Sequence, residues 1–323
     1  MSSKITISYG PAPEEGVAER ELAEGLRAQP PRIPTRYFYD DRGSELFERI
    51  TELPEYYQTR TERALLEEHA AAIIEAAQAE ELVELGSGAA TKTRVLLSAM
   101  QDAGLLRLFV PFDVSEGILR RTAEELTEEY PGLEVRGVVG NFLEHLGELP
   151  DGHRRLVAFL GGTVGNLRPE TQAPQFMESL ADVMSPGDLL LIGTDRIKDP
   201  AIIEAAYNDS AGVTAQFNLN ALNVVNREFD ANFVPEQFAH RAFYCPENRW
   251  IEMRLVSQRA QTVRVGALDI ELELAAGEEI LTEISAKYDQ ARLESLLGQS
   301  GFELLEWRTD EKGLFALSLA RRV

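Results

Sequence analysis

The sequence predicts an α/β fold: a mainly parallel sheet covered by helices on both faces, with an α+β segment inserted late in the chain. Three observations carry this. From residue 82 onward, short and wholly apolar runs alternate with helical stretches. The first of those runs ends in a glycine turn, Glu84-Leu85-Gly86-Ser87-Gly88, that opens a helix. Residues 196–286 then break the alternation before it resumes.

Residues 1–36 are rich in Pro, Glu and Ala. After the block Tyr37-Phe38-Tyr39-Asp40-Asp41-Arg42-Gly43, Ser44 is expected to cap a short helix with Leu46, Phe47 and Ile50 inward. Thr59-x-x-Glu62 reads as a capping box for a helix running to about residue 78, with Leu65, Leu66, His69 and Ile73 on one face. Strands are expected at 82–85, 108–112, 135–139, 156–160 and 188–193, and helices at 115–129 and 170–184. Pro186-Gly187-Asp188 turns into the fifth of these strands. A helix over 288–299 precedes a hairpin of Phe302–Arg308 and Leu314–Arg321 with Gly313 in its turn. Such a hairpin suits a methyltransferase sheet better than a dinucleotide or P-loop fold.

The inserted segment begins helical and asparagine-rich, with Asn208, Asn218, Asn220, Asn223 and Asn226. It continues as alternating apolar and polar residues, Trp250–Leu255 and then Leu268–Leu272, the pattern of half-exposed antiparallel sheet. It is expected to be a substrate domain, with a ligand crevice between it and the carboxyl ends of the parallel strands.

The glycine turn allows a nucleotide-like ligand to approach bare backbone. Asp113, at the end of the next strand, is placed to accept from ribose hydroxyls. Three ligands compete. A dinucleotide suits Gly86-x-Gly88, but Thr91 replaces the third glycine. A nucleoside triphosphate suits G-x-x-x-x-T-K-T over 86–93, but a P-loop needs glycine where Thr91 stands. S-adenosylmethionine needs no phosphate cradle, and a carboxylate at Glu84 would repel phosphates while tolerating a sulfonium. Local chemistry ranks S-adenosylmethionine first, dinucleotide second and P-loop third.

The chain has 323 residues, 44% of them hydrophobic, which is enough for a large core. Its 54 acidic against 32 basic side chains give a net charge of −22, which argues against a nucleic-acid partner. Cys245 is the single cysteine, so no intramolecular disulfide can form. Residues 1–6 lack a signal pattern and no apolar run approaches a membrane span, so a cytoplasmic protein without membrane contact is expected. His69, His145, His153 and His240 are scattered without metal-ligand spacing, so no metal is expected.

Taken together, several segments resemble one family over essentially the whole chain. They are Tyr39-Asp40-Asp41-Arg42-Gly43-Ser44-x-Leu46-Phe47, Leu53-Pro54-Glu55-Tyr56-Tyr57-x-Thr59-Arg60 and Glu84-Leu85-Gly86-Ser87-Gly88. Phe159-Leu160-Gly161-Gly162-Thr163-x-Gly165-Asn166 and Glu283-Ile284-Ser285 complete the set. The resemblance is to the histidine Nα-methyltransferases of ergothioneine biosynthesis. It implies a Rossmann-like class I methyltransferase sheet over 61–195 and 287–323, with a histidine-binding α+β domain formed by 1–60 and 196–286. It also implies that L-histidine is carried through its mono- and dimethylated forms to hercynine, with S-adenosylmethionine as methyl donor; a monomer is expected. The nearest alternative is a methyltransferase of the same fold acting on another amino acid or small amine; a P-loop-like nucleotide-dependent regulator is the alternative from a different class.

By matching position, the cofactor residues would be Gly86, Lys92, Asp113, Asn141 and Phe142. Histidine would be held by Tyr56, Asn166, Tyr207, Glu283 and Ser285, with Tyr39, Phe47, Thr163, Phe217 and Met253 lining its pocket. Tyr39 and Asn166 are the candidates nearest the reacting amine. Many related enzymes carry Asp at the position of Asn141, which still offers a carbonyl oxygen to an adenine amino group. Glu283 and Ser285 are two apart, so on an extended segment both face one way, and together they could serve the two nitrogens of an imidazole. Without the resemblance, Glu283 reads as one of a solvated acidic run and Tyr207 as a core tyrosine. For the protons leaving the amine, direct loss to water and transfer via Tyr39 are both open.

Overall fold

The computed structural model describes residues 4–11, 16–150, 152 and 154–323; His153 and the first three residues of the chain lie outside the described residues. Strands in chain order are β1 (Ile5–Tyr9), β2 (Glu81–Leu85), β3 (Leu108–Asp113), β4 (Glu134–Val139), β5 (Arg155–Phe159) and β6 (Leu189–Asp195). They continue with β7 (Phe238–Cys245), β8 (Trp250–Ser257), β9 (Gln261–Val265), β10 (Ile270–Leu274), β11 (Glu279–Ala286), β12 (Phe302–Thr309) and β13 (Phe315–Arg322). The chain divides into two compact units, one of Met1–Ala12, Gln58–Ile197 and Tyr288–Val323, the other of Pro13–Tyr57 and Lys198–Lys287.

The first unit holds an eight-stranded sheet in the order β1-β4-β3-β2-β5-β6-β13-β12. All neighbours from β1 to β6 are parallel, while β13 runs antiparallel to both β6 and β12. This is the Rossmann-like class I methyltransferase topology. Its strand order reverses between β2 and β5, the point at which open α/β sheets place ligands. Both strands are buried along their whole length in a sheet covered on two faces, with the charged Glu81 and Arg155 buried as a pair at 2.8 Å. Leu65, Leu66 and Ile73 from the helix Tyr57–Ala77 join Leu82, Leu96 and Leu156 in the core beneath.

Several local expectations are corrected. β1 was not foreseen: Ile5-Thr6-Ile7-Ser8-Tyr9 pairs with β4 and so belongs to the sheet, not to the substrate domain. The helix Asp41–Thr51 is capped by Asp40, whose carboxylate accepts from the Gly43 amide at 2.8 Å, and not by Ser44. Phe47 is only half-buried. Thr59 lies inside a helix that has already begun at Tyr57, so no capping box forms there and Glu62 is free for another use. Among the described residues, no helix is long and apolar enough to cross a membrane.

The second unit contains a three-stranded antiparallel sheet, β11-β8-β7, and the hairpin β9-β10. β10 alternates buried and exposed residues as expected, but Trp250–Met253 of β8 are all buried, Glu252 included. Glu252 tolerates this because it accepts from Trp250 Nε1 at 2.8 Å and pairs with Arg254. The helix Val213–Phe229 packs on β7 and β8. From it the fully buried Asn218 donates to Arg254 O and accepts from Thr282 Oγ1 at 2.6 Å. β11 is bulged between Leu281 and Glu283, where Thr282 Oγ1 also lies 3.0 Å from Met253 O and shares its proton with it. The bulge resets the register so that Glu283 lies opposite Met253 and Ser285 opposite Ile251.

Candidate active site

In the first unit the ligand-facing turn follows β2. Gly86 donates from its amide to Phe112 O at 2.7 Å and sits at φ +74°, a region that costs a residue with a Cβ about 1–2 kcal/mol. The Asp113 carboxylate accepts from the Gly88 amide at 2.8 Å and the Ser115 amide at 2.9 Å. Each oxygen keeps a lone pair for a further donor, as a ribose acceptor requires.

Behind this turn, charged groups are buried together. Glu62 is wholly buried; both its oxygens accept from the Gly161 amide, at 2.8 and 3.0 Å, and it pairs with Lys92. Glu84 is 3% exposed and its Oε2 has no hydrogen-bond partner. Burial pushes the Glu84 carboxyl up to about 8; the Thr93 hydroxyl and the Lys92 ammonium pull it back, while Glu62 and Asp113 push it further. The Glu84 carboxyl thus sits well above the ordinary range, with Lys92 the cation that opposes the shift. An orphaned buried oxygen beside a glycine turn fits a ligand that brings a positive, donor-bearing group. S-adenosylmethionine carries an ammonium and a sulfonium, so these residues fit it.

Asn141 follows β4. Its Oδ1 accepts from the Leu143 amide at 3.1 Å and its Nδ2 donates to Glu144 Oε1 at 2.7 Å, an Asx turn that still leaves Oδ1 one lone pair. Phe142 is half-buried, edge-on to Phe159 and Phe176. After β5, Thr163 donates to Leu160 O at 2.8 Å and opens the single turn Thr163–Asn166, leaving Asn166 half-buried at its end.

In the second unit, the helix Asp41–Thr51 and the chain around it bring Tyr39, Phe47 and Tyr56 to Phe217. Ring centroids lie 5.8 Å apart for Tyr39–Phe47, 5.6 Å for Tyr39–Phe217 and 6.3 Å for Phe47–Tyr56. Tyr207 and Ser285 are both buried, and Lys287 Nζ donates to their hydroxyls at 3.2 and 3.0 Å. Glu283 is surrounded by protein mass without being fully covered, unlike the exposed Glu278 of the same acidic run. That enclosure pushes its carboxyl up to about 7, with Lys287 opposing. The Tyr39 phenol is raised well above the usual range, first by desolvation and then by Glu283 and Tyr207, although 42% of the residue stays open. Met253 is buried opposite Glu283.

Two residues that contact the candidate groups, Glu62 and Lys287, are not among those the sequence points to. Glu62 was hidden by its match to a capping box. Lys287 had a signal, since it follows Ser285 by two and shares its parity. His240 is a packed histidine, contacting Asn218 Nδ2 at 2.9 Å and Tyr207 O at 2.8 Å. Among the described residues no group of three or more His, Cys, Asp or Glu could hold a metal ion.

A family model described as "Histidine-specific methyltransferase, SAM-dependent" matches residues 18–322. A histidine N-alpha-methyltransferase from Mycolicibacterium smegmatis is 51% identical over 303 residues, 94% of this chain and 94% of that protein. Another from Mycobacterium tuberculosis is 49% identical over 303 residues, again 94% of each. Ergothioneine biosynthesis protein 1 of Neurospora crassa is 31% identical over 313 residues, covering 90% of this chain and 34% of that protein.

Proposed function

We propose, given that this chain belongs to the S-adenosylmethionine-dependent, histidine-specific methyltransferase family, that it methylates the α-amino nitrogen of L-histidine three times to give hercynine, opening ergothioneine biosynthesis. Mono- and dimethylhistidine are then bound in turn, by a monomer working in the cytoplasm. The unit Pro13–Tyr57 with Lys198–Lys287 is the histidine-binding domain.

One observation supports the substrate most directly: beyond the bulge, Glu283 and Ser285 share one face of β11, an acceptor and a hydroxyl spaced for the two edges of an imidazole. Tyr207 is assigned the substrate carboxylate and Asn166 its amino end, and Thr163 and Met253 keep the lining roles that the family resemblance implies. Tyr39, Phe47, Tyr56 and Phe217 present aromatic faces, which suit a trimethylammonium that has no N–H to donate. Gly86, Lys92, Asp113, Asn141 and Phe142 are assigned to S-adenosylmethionine, with Glu84 added to them by its orphaned oxygen. When bound, that cofactor supplies an electrophilic methyl group.

The chain's part in such a displacement is positioning: the amine must be uncharged, with its lone pair aimed at the methyl carbon. The raised Tyr39 phenol keeps its proton at neutral pH, and its oxygen is assigned to accept from an amine N–H, which orients the amine and leaves its lone pair free.

Mass spectrometry of the purified protein with S-adenosylmethionine and each amino acid in turn tests the reading. Successive mono-, di- and trimethylhistidine are expected. No product from histidine alongside turnover of another amino acid would overturn it.

A further inference from the structure

Lys287 has no role in the reading above, yet its side chain is wholly buried at the end of β11. Burying an ammonium is costly unless polar partners face it. Here Nζ donates to Ser285 Oγ at 3.0 Å and to Tyr207 Oη at 3.2 Å, and lies 5.0 Å from the centroid of the Tyr207 ring. Glu283, four residues back, has the same parity and feels the Lys287 charge.

An ammonium has donors and no acceptor, whereas a hydroxyl has one proton and two lone pairs. A serine oxygen that accepts from Lys287 cannot turn its own proton toward Lys287. The proton must point elsewhere, and the same holds for Tyr207. The two hydroxyls are thereby converted from ambivalent groups into donors. Two residues before Ser285 on the same face of β11, Glu283 has only lone pairs to offer once ionised.

We propose that Lys287 sets the hydrogen-bond polarity of the imidazole site: by holding Ser285 as a donor beside the Glu283 acceptor, it makes the site select a neutral ring with one N–H and one bare nitrogen. This rests on the assignment of Glu283 and Ser285 to the imidazole. Lys287 is a positioning residue that acts through Ser285. A ring with carbon in place of the bare nitrogen leaves the Ser285 proton without a partner, which is how the site rejects it.

The test measures dissociation constants by calorimetry, in the presence of S-adenosylhomocysteine, for L-histidine and for the two β-pyrrolylalanines, which keep a ring N–H but lack the bare nitrogen. The wild-type protein should prefer histidine over the better pyrrolyl isomer by about tenfold or more. In Lys287→Met that preference should shrink to about a third or less of its value, chiefly because the analogue gains affinity once Ser285 can rotate. Lys287→Gln, which restores an acceptor to the slot, should do the same, and Ser285→Ala should absorb the effect so that the double variant shows no further change. An unchanged preference, or histidine and analogue weakened alike, would overturn the proposal. Retained histidine affinity in Ser285→Ala and Glu283→Gln would instead sink the underlying assignment. S-adenosylhomocysteine binding reports that each variant is folded.

Discussion

Glu283 and Glu84 are both carboxyls held above the ordinary range by burial, but they make different predictions. Glu283 sits near 7, so it is ionised above that pH and neutral below it. If its carboxylate receives the imidazole N–H, the KM for histidine falls as pH rises through 7. Glu283→Gln should flatten that profile and weaken histidine binding about tenfold to a hundredfold, leaving S-adenosylhomocysteine affinity intact. Equal loss of both ligands would make Glu283 a structural residue. Glu84, near 8, bears on stability. A carboxyl raised on folding contributes fully below its unfolded value and loses that contribution as pH climbs through the folded one. The ligand-free Glu84→Gln variant should therefore melt higher than the wild type at pH 8, with the gap narrowing toward pH 5. A gap independent of pH in thermal melts would refute the assignment. At this scale the sequence was partly legible. The parity of Glu283 and Ser285 is a direct reading of strand geometry, and Asp113 follows from its distance after the glycine turn. Glu62 was not legible, because S/T-x-x-E looks the same whether the acid returns to its own helix or crosses to the Gly161 amide.

The bulge in β11 shows how one element aims a site. Thr282 is the inserted residue, and its one hydroxyl proton is shared between Asn218 Oδ1 at 2.6 Å and Met253 O at 3.0 Å. Thr282→Val keeps shape and β-propensity but removes the one proton these acceptors share and leaves the buried Asn218 Oδ1 short of a donor, at a cost of about 2 kcal/mol. Because the bulge fixes which side of β11 Glu283 and Ser285 occupy, the variant should raise the histidine KM more than it lowers kcat; a melting shift with unchanged kinetics would refute that. The parallel strands were readable because each centres on a short, mainly apolar run, even where Glu81, Glu84 and Arg155 are buried within it. β1 was not, since Ile5-Thr6-Ile7-Ser8-Tyr9 is an alternating edge strand within a Pro- and Glu-rich stretch. The β11 bulge leaves no mark in composition, for it depends on Asn218 arriving from a helix far away in the chain. The burial of Trp250–Met253 likewise depends on a helix packed over the sheet.

For the whole molecule, a net charge of −22 means that folding gathers like charges. Self-repulsion of this kind is screened by salt, so the melting temperature should rise as sodium chloride goes from about 10 mM to about 500 mM, over which the Debye length shrinks several-fold. A melting temperature that falls over this range would show instead that favourable ion pairs such as Arg254–Glu279 outweigh the repulsion. The order of the strands has a last consequence, for the way the protein is made. β13 is inserted between β6 and β12, yet a ribosome delivers it after β12 and after the whole second unit. Pro13–Tyr57 and Lys198–Lys287 are complete on the nascent chain while the sheet still lacks its seventh strand. Vectorial synthesis thus finishes the unit assigned to histidine before the unit assigned to the methyl donor, and β6 waits with an open edge until the final hairpin emerges.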